Sequence, residues 1–464
     1  MIDKYLEQVR RHPKVLGLLT LHFTSLLTFS LWGPALIDLS MQKGADPYPQ
    51  GLAFALSSAL MYIFLALGKK TIDPREARRA AAAYLIAAAS FLVIDPHYWI
   101  WASIISGIAS SGLTAYWAEL FVEYVPAQER GRSVALLMIL SNGVYYILYL
   151  LIPSIASTMT VSLSLIPAAG TVWLLAGGRH FPSPSPECAK TVEPFLPRDA
   201  LLPLSWTMGV FIFAFYLTGG LVYESLYLTS PEHPWARWFS TIPYIITGAI
   251  AGLEADAKGR RMLPVKACIF LGMGLVCSLF LRNPDASFLV GSVLALAAFG
   301  YMDVFLWTYL ADIALAPRRA VTTYGLGLAL NLITVSVGSL MPHSRPGFAV
   351  GPHFIVGAGT GILFLSLGHL VHAIDRTEEV IEHFSPPDIQ TKVRQLTSKL
   401  TDREGEVLSL LISGMSNEDI AQELHVAEAT VKTHLRSIYR KTGFPNRRTL
   451  LSRLVADEPP ERNV

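Results

Sequence analysis

The chain has 464 residues, of which 52% are hydrophobic and only 16% are charged, and its mean hydropathy is +0.42. The hydrophobic fraction, the charged fraction and the mean hydropathy all lie outside the range of soluble globular proteins, so the composition places most of the chain in lipid. The net charge of +2 indicates no partner by itself because the charges are segregated along the chain. Three scattered cysteines (Cys188, Cys268 and Cys277) exclude a disulfide framework and a cysteine-based metal site.

Apolar stretches of spanning length recur along the first four fifths of the chain. A helix needs roughly 20 apolar residues to cross about 30 Å of hydrocarbon. The first stretch is of that length and lacks a small-residue cleavage site, so we expect no cleavable signal peptide. We predict twelve spans, with the approximate limits 15–39, 50–67, 77–94, 98–122, 133–152, 158–178, 201–228, 236–253, 264–281, 286–313, 321–341 and 350–372.

The lysines and arginines of the connecting loops predict the orientation. With the N-terminus inside, the inner loops and adjoining helix ends hold 19 of these residues, whereas the outer ones hold four. Positive residues are retained on the cytoplasmic side, so both termini are expected in the cytoplasm. We therefore expect a multi-pass membrane protein.

The spans divide into six and six around a proline-rich polar stretch, which is typical of a two-repeat transporter fold. Residues 252–261 (GLEADAKGRR) follow span eight, and residues 118–131 after span four correspond in pattern to residues 311–319 after span ten. On these motifs residues 15–372 resemble the major facilitator superfamily. The resemblance implies the fold more directly than it implies transport.

Polar side chains inside spans are costly in lipid, so each is a candidate for function. His22 lies in span one, Glu224 in span seven and Asp303 in span ten. The family resemblance implies that spans one, four, seven and ten line a central cavity. These three residues, with Tyr116 and Trp117 of span four, are therefore candidate ligand-cavity residues. The alternative for His22 is helix–helix hydrogen bonding, and the alternative for Glu224 is a place at the outer interface of the membrane. For the aromatic residues the alternative is packing or interfacial anchoring.

The composition changes abruptly after His372, where charges appear every few residues. Three helices with inward-facing apolar residues are predicted beyond it. Thr401 and Glu404 form a capping box for the first, Ser416 and Asp419 open the second, and the third runs from Glu428 to about Lys441. Asn446 is positioned to cap a fourth. The predicted domains are 1–14 (cytoplasmic), 15–178 (spans 1–6), 179–200 (central loop), 201–372 (spans 7–12), 373–396 (linker) and 397–464 (C-terminal helical domain).

Charge is partitioned sharply within this last domain. Residues 401–428 contain seven acidic residues and one basic residue, whereas residues 429–454 contain seven basic residues and no acidic one. A basic third helix is typical of a helix-turn-helix recognition helix, which lies in the major groove of DNA. A solvated helix face is the alternative for such a run, but it does not account for the motifs that accompany it.

Three segments, 400–408 (LTDREGEVL), 414–424 (GMSNEDIAQEL) and 430–441 (TVKTHLRSIYRK), resemble the LuxR-type (GerE-like) helix-turn-helix domain of bacterial transcription regulators. The resemblance implies DNA-binding residues at six positions. Base edges would be contacted by Lys432, Thr433 and Arg436, and phosphates would lie near Thr430, His434 and Arg440.

The chain departs from this family at two places. Ala427 stands where family members usually have a capping serine, a change that costs about 1 kcal/mol. The last helix has Arg447-Arg448-Thr449-Leu450 in place of the usual pattern, which puts in doubt the homodimerisation that the resemblance implies. RNA polymerase contact is left open.

The expected fold is all-α: a polytopic bundle of twelve transmembrane helices followed by a four-helix LuxR-type domain. The expected function is that of a membrane-embedded regulator that senses a small-molecule ligand and binds double-stranded promoter DNA. The alternative is a secondary transporter with an autoregulatory DNA-binding tail. We expect no enzymatic activity, cofactor or metal, because the sequence contains no P-loop, zinc-ligand spacing or nucleophile elbow.

Overall fold

A computed structural model describes most of the two regions separated in the sequence analysis. The described residues are 2–68, 71–177, 206–219, 241–281, 283–314, 317–343, 357, 360–372, 374, 400–412, 416–447 and 449–450. All regular elements among them are helical. The chain divides into two compact units, one formed by Met1–Cys188 with Thr207–Leu370 and the other by Ala189–Trp206 with Val371–Val464.

The first unit is a bundle of long apolar helices. Six helical stretches are long and apolar enough to cross a membrane, at Pro13–Lys43, Tyr48–Gly68, Ala127–Ser154, Ser157–Ala176, Asp285–Ala314 and Arg319–Val337, and shorter apolar helices lie at Trp206–Gly219, Met262–Cys277 and Thr360–His372. The finding supports a membrane domain, and the number twelve stays a prediction, because spans seven, eight and twelve fall partly outside the described residues.

We number the helices of this region in chain order. They are α1 (Ile2–Arg11), α2 (Pro13–Ser25), α3 (Pro34–Lys43), α4 (Tyr48–Gly68), α5 (Pro74–Ser90), α6 (Trp99–Tyr124), α7 (Arg130–Leu151), α8 (Ser157–Ala176), α9 (Trp206–Gly219), α10 (Ile242–Lys258), α11 (Met262–Phe280), α12 (Pro284–Ala314), α13 (Pro317–His343) and α14 (Thr360–His372).

The first predicted span is interrupted, although its hydropathy predicts one continuous helix. After α2 the chain forms a π-helical turn at Leu26–Ser30, and it leaves the helical region before α3 begins at Pro34. Pro34 has no N–H to continue the hydrogen-bond ladder and forces the preceding residue into an extended conformation. Trp32 has a φ of 50° at this break, and its indole lies so close to Gly51 that a Cβ there would be 2.3 Å from Nε1.

Small residues let helices approach closely in lipid, and α4 and α6 use them. A Cβ on Gly107 would lie 2.2 Å from the Ser57 hydroxyl. The Ser58 hydroxyl donates to the carbonyl of Gly107 (3.1 Å), and the Ser111 hydroxyl donates to the carbonyl of Ser58 (3.0 Å). Backbone carbonyls therefore satisfy these hydroxyls where the helices touch.

Ion pairs join the two halves of the bundle at the end that carries Arg130, Arg132 and Arg260, which we call the arginine-rich end. Asp256 accepts from the Gly131 N–H at 2.7 Å and from Arg132 Nε at 2.8 Å. Asp312 lies 2.9 Å from Arg130 and 2.8 Å from Arg260. Asp256, Arg260 and Asp312 belong to the second predicted half, so the pairs Arg132–Asp256 and Arg130–Asp312 close this end across the seam between the halves.

The same seam is packed too tightly for side chains at two glycines. A Cβ on Gly252 of α10 would lie 2.4 Å from the Cβ of Ala135 in α7, and a Cβ on Gly131 would lie 2.5 Å from the Gly252 carbonyl oxygen. Gly252 is the first residue of the 252–261 motif found in the sequence. Its role in this structure is therefore to bring α7 and α10 into contact.

The second unit contains three helices between residues 400 and 450, named α15 (Asp402–Ile412), α16 (Asn417–Glu423) and α17 (Glu428–Thr442). They enclose a core of fully or nearly buried side chains: Val407, Leu408, Leu411, Ile420, Ala421, Val431, Leu435, Ile438 and Leu450. The fourth predicted helix lies mostly outside the described residues, although the Asn446 side chain accepts from the Thr449 N–H (2.9 Å), as a capping residue does.

The predicted helix ends of this unit are confirmed where they are described. Ser416 and Asp419 form a reciprocal capping box on α16. Ala427 precedes α17 without a side-chain cap, and Gly443 ends that helix with a φ of 76°. That left-handed conformation favours glycine because it has no Cβ.

Candidate DNA-binding surface and membrane-unit ligand residues

Helix α17 has one buried face and one exposed face. Val431, Leu435 and Ile438 point into the core, and the repeat of three to four residues between them leaves the opposite face in solvent. That exposed face includes the predicted DNA-binding residues Thr430, Lys432, Thr433, Arg436 and Arg440, whereas His434 is half-buried.

Two of these residues make contacts within their own helix. Lys432 Nζ lies 2.9 Å from Glu428, in an exposed ion pair. Such pairs contribute about 0 to 1 kcal/mol, so Lys432 can exchange this partner for a stronger acceptor at little cost. The Thr433 hydroxyl donates to the Ala429 carbonyl (2.9 Å), which leaves its methyl group for apolar contact.

A cleft of about 400 Å³ opens beside this exposed face. Three cations, two small polar residues, a tyrosine and a leucine line it: Lys432, Arg436, Arg447, Ser416, Asn417, Tyr439 and Leu435. None of these lining residues carries a carboxylate. The cleft is therefore suited to an anion that is larger than a single free phosphate.

Of the three cations that line the cleft, Lys432 and Arg436 are exposed, whereas Arg447 is partly buried. It is half-buried, and burial lowers the pKa of its guanidinium, although arginine stays charged at every physiological pH. Its Nη2 lies 3.4 Å from the Leu411 carbonyl, which anchors the side chain on α15. A positive group held at the edge of the core is positioned for an anion without losing much side-chain entropy.

The sequence analysis did not assign Ser416, Asn417, Tyr439 or Arg447 to DNA contact. The spacing of Lys432, Arg436 and Tyr439 is a usable signal, because residues four and seven apart share a helix face. Arg447 gives no such signal, since it reaches the cleft from beyond Gly443.

In the membrane unit, His22 is buried with 1% of its surface exposed. Its Nε2 lies 3.2 Å from the Ser110 hydroxyl, and its ring meets Tyr84 edge to face. Nδ1 has no hydrogen-bond partner among the described residues. The Tyr84 hydroxyl also contacts Ser30 at 2.8 Å, which lies in the π-helical turn, so this polar cluster adjoins the interruption of the first span.

Asp303 lies within α12. It accepts hydrogen bonds from Tyr216 of α9 and from Tyr244 of α10, the latter at 2.8 Å. Phe299 lies beside Tyr216, with 6.0 Å between the ring centroids. A carboxylate held by two hydroxyls and an aromatic wall is a chemical environment for a proton or a cation.

The other cavity candidates have different surroundings. Trp117 is 1% exposed and packs with Phe121, Trp307 and Tyr324, while its Nε1 donates to the Val15 carbonyl (3.1 Å). Tyr116 is buried in α6. Glu224 lies outside the described residues. His22 and Asp303 thus belong to separate polar clusters.

Comparison with known proteins supports both units. Residues 398–454 match the family described as bacterial regulatory proteins, luxR family. The HTH-type transcriptional regulator MalT of Vibrio campbellii is 49% identical over 74 residues, which are 16% of this chain and 8% of that protein. MalT of Vibrio cholerae is 49% identical over 71 residues, or 15% of this chain and 7% of that protein. The chain therefore spans less than a tenth of these relatives' length.

For the helical bundle, one similar solved structure is that of the human organic anion transporter MFSD10 (TETRAN). It has a TM-score of 0.56 at 15% identity, and it covers 77% of this chain and 97% of that chain. At this identity the likeness concerns the fold alone. Residues 398–454 of the chain are therefore a LuxR-type helix-turn-helix domain, and its apolar helical bundle has the fold of that solved structure.

Proposed function

We propose that this protein is a membrane-embedded transcription regulator, in which a twelve-span bundle senses a small molecule and a four-helix LuxR-type domain binds promoter DNA. The observation that carries the proposal is the cationic cleft beside the exposed face of α17, in a chain that also contains the apolar bundle. Its place is a bacterial inner membrane with both termini in the cytoplasm.

On the DNA side, Lys432, Thr433 and Arg436 would contact base edges, and Thr430, His434 and Arg440 would lie at phosphates. The cleft extends this surface toward Arg447 and would take the sugar–phosphate backbone at the rim of the groove. The MalT relatives are HTH-type transcriptional regulators, which supports the same role.

On the ligand side, the His22 cluster is the part of the bundle that supports sensing. Interrupted helices mark binding sites in transporter folds, because their freed backbone groups line a cavity. An unsatisfied, buried Nδ1 beside such an interruption is available to a ligand. Tyr116, Trp117, Glu224 and Asp303 stay proposed cavity residues.

Coupling requires that the ligand prefer one state of the bundle, since a ligand with equal affinity for two states shifts nothing. The signal would pass through a linker at 373–396 to a domain at 397–464. Homodimerisation of that domain and contact with RNA polymerase would follow from a LuxR-type mode of action.

The test is capture of DNA by the full-length protein in native membranes. Membranes that carry the tagged chain are incubated with sheared genomic DNA of the source organism, crosslinked, and the bound fragments are sequenced. We expect enrichment of a short shared motif upstream of genes. A chain truncated after residue 396 is the control, and equal capture by both chains would refute the proposal.

A second candidate function, secondary transport with an autoregulatory tail, is favoured by Asp303 and its two tyrosines. An intramembrane carboxylate without a basic partner among the described residues is typical of proton relays. Expected result: if the bundle transports, Asp303→Asn abolishes ion-coupled uptake and leaves reporter transcription unchanged, because asparagine keeps the size of the side chain but cannot take up a proton.

The measurement uses vesicles that contain the full chain, an imposed pH gradient and a pH-sensitive dye. Candidate organic anions and cations are added in turn, and dissipation of the gradient is recorded. Asp95→Asn is a matched carboxylate control, because Asp95 is exposed and asparagine keeps its hydrogen bond from the His97 N–H. Wild-type vesicles that dissipate no gradient with any solute, together with intact transcription control, would eliminate this candidate.

A further inference from the structure

Helix α1 contacts both halves of the bundle at the arginine-rich end. Tyr5 and Gln8, three residues apart, are buried there with 8% and 0% of their surfaces exposed. The Tyr5 hydroxyl donates to the Ala249 carbonyl of α10 (2.5 Å), which belongs to the second half. Gln8 accepts from the Ser133 hydroxyl of α7 (3.1 Å), which belongs to the first half. One short helix thus touches each side of the seam.

A third contact fixes the C-terminal end of α1 to the first half of the bundle. Glu129, 9% exposed, is bonded by Arg11 and lies 3.1 Å from His12 Nε2. His12 precedes Pro13, the first residue of α2. A proline at that position cannot continue the α1 hydrogen-bond ladder, so α1 is a separate helix that turns back onto the bundle.

Only one face of α1 makes these contacts. Tyr5, Gln8 and His12 follow helical spacing, whereas Leu6 and Val9 on the neighbouring face are 49% and 40% exposed. The burial of a tyrosine and a glutamine, with apolar side chains left outside, is the reverse of what apolar packing alone would produce. Polar contacts therefore set the position of this helix.

Beneath α1, the seam is already closed by Asp256 on Gly131 and Arg132 and by the contact between Gly131 and Gly252. If the two halves separate at this end, as a bundle of two repeats does on opening, Tyr5 and Ala249 must part. Arg11, His12 and Gln8 fix α1 to the first half. Among the described contacts of α1, the bond from Tyr5 is therefore the one that crosses the seam.

We propose that α1 is a strap that holds the arginine-rich end of the bundle closed through the bond from Tyr5 to Ala249. A single hydrogen bond contributes on the order of 1 kcal/mol, so the strap biases the closed state without locking it. A ligand or partner that favours the open state would release α1 from α10 while leaving it attached at Glu129.

Amide hydrogen exchange of the full-length chain in lipid nanodiscs tests the strap. Tyr5→Phe removes only the hydroxyl that bonds Ala249. We expect exchange about three- to tenfold faster in both peptides that flank the seam, at the start of α7 (130–138) and the end of α10 (249–256), because the closed state loses one hydrogen bond. Leu6→Ala, on the exposed face of the same helix, should change neither peptide.

Gln8→Leu gives a second variant with a different expected pattern, since it cuts the tie to α7 and keeps Tyr5. It should loosen α1 and raise exchange at the seam by a similar factor. Faster exchange confined to α1 in both variants would mean that the helix frays without holding anything, and the strap would be refuted. Equal acceleration in α4 and α6 would likewise refute it, because the effect would then be a general loss of stability.

Discussion

Lys432→Ala is expected to weaken binding to the captured DNA site by about 1 to 3 kcal/mol and to relax the preference for one base position. The lysine projects from the exposed face of α17 with 56% of its side chain in solvent. A cation there can donate to guanine O6 and N7 in the major groove. Its exposed pair with Glu428 contributes little to stability, so the loss should appear in binding and not in folding.

Fluorescence anisotropy with the full-length chain in detergent measures this effect, on the captured sequence and on a scrambled one at the same salt concentration. Arg403→Ala is the matched control, because Arg403 is also a half-exposed cation of the same unit but pairs with Glu406 on α15. A Lys432→Ala profile identical to the wild type on both sequences would mean that the recognition helix is assigned in the wrong register.

The helix-turn-helix region is the part of the fold that the sequence predicted in most detail. Capping boxes at Thr401 and Ser416 and the stop at Gly443 are local signals, since each depends on residues within four positions of one another. The inward positions of Val431, Leu435 and Ile438 depend on helical periodicity alone. Both kinds of signal are present in the chain before any tertiary contact forms.

Features that depend on the meeting of distant helices could not be predicted in this way. The partners of Asp303 lie 87 and 59 residues away in the chain, so no local pattern connects them. The interruption at Leu31–Gly33 did have a local signal in Pro34, but averaged hydropathy conceals it. The strap depends on the backbone carbonyl of Ala249. Every residue has such a carbonyl, so no sequence pattern identifies this one as a hydrogen-bond acceptor.

Glu404→Gln is expected to destabilise the DNA-binding unit at neutral pH by about 1 to 3 kcal/mol. The carboxylate is 6% exposed and accepts from Lys441 (2.6 Å), the Thr401 N–H (2.8 Å) and the Ser437 hydroxyl (2.7 Å). It therefore caps α15 and also binds α17, the recognition helix. Glutamine keeps the shape but replaces a charged acceptor by a neutral one opposite Lys441.

The pH dependence distinguishes this charge effect from simple packing. The hydrogen bond from Lys441, followed by those from Thr401 and Ser437, lowers the pKa of Glu404 from its ordinary value of 4.5 to about 2. A carboxyl group with a lowered folded-state pKa stabilises the fold fully above its unfolded pKa and loses that contribution as the pH falls toward the folded value. The difference between wild type and Glu404→Gln should therefore be constant near neutral pH and shrink between about pH 4.5 and pH 2.

Hydrogen exchange in α15 and α17, expressed as the ratio of variant to wild-type rates at each pH, measures that difference because the intrinsic rates cancel. Glu406→Gln is the matched control: Glu406 lies one half-turn away on the same helix, is 53% exposed and pairs with Arg403 alone among the described residues, so its ratio should stay near one. A ratio for Glu404→Gln that does not change with pH would mean that shape, and not charge, joins α15 to α17. Since α17 carries the cations that we propose contact DNA, a ratio that falls on acidification would tie the placement of those cations to one buried carboxylate on the neighbouring helix.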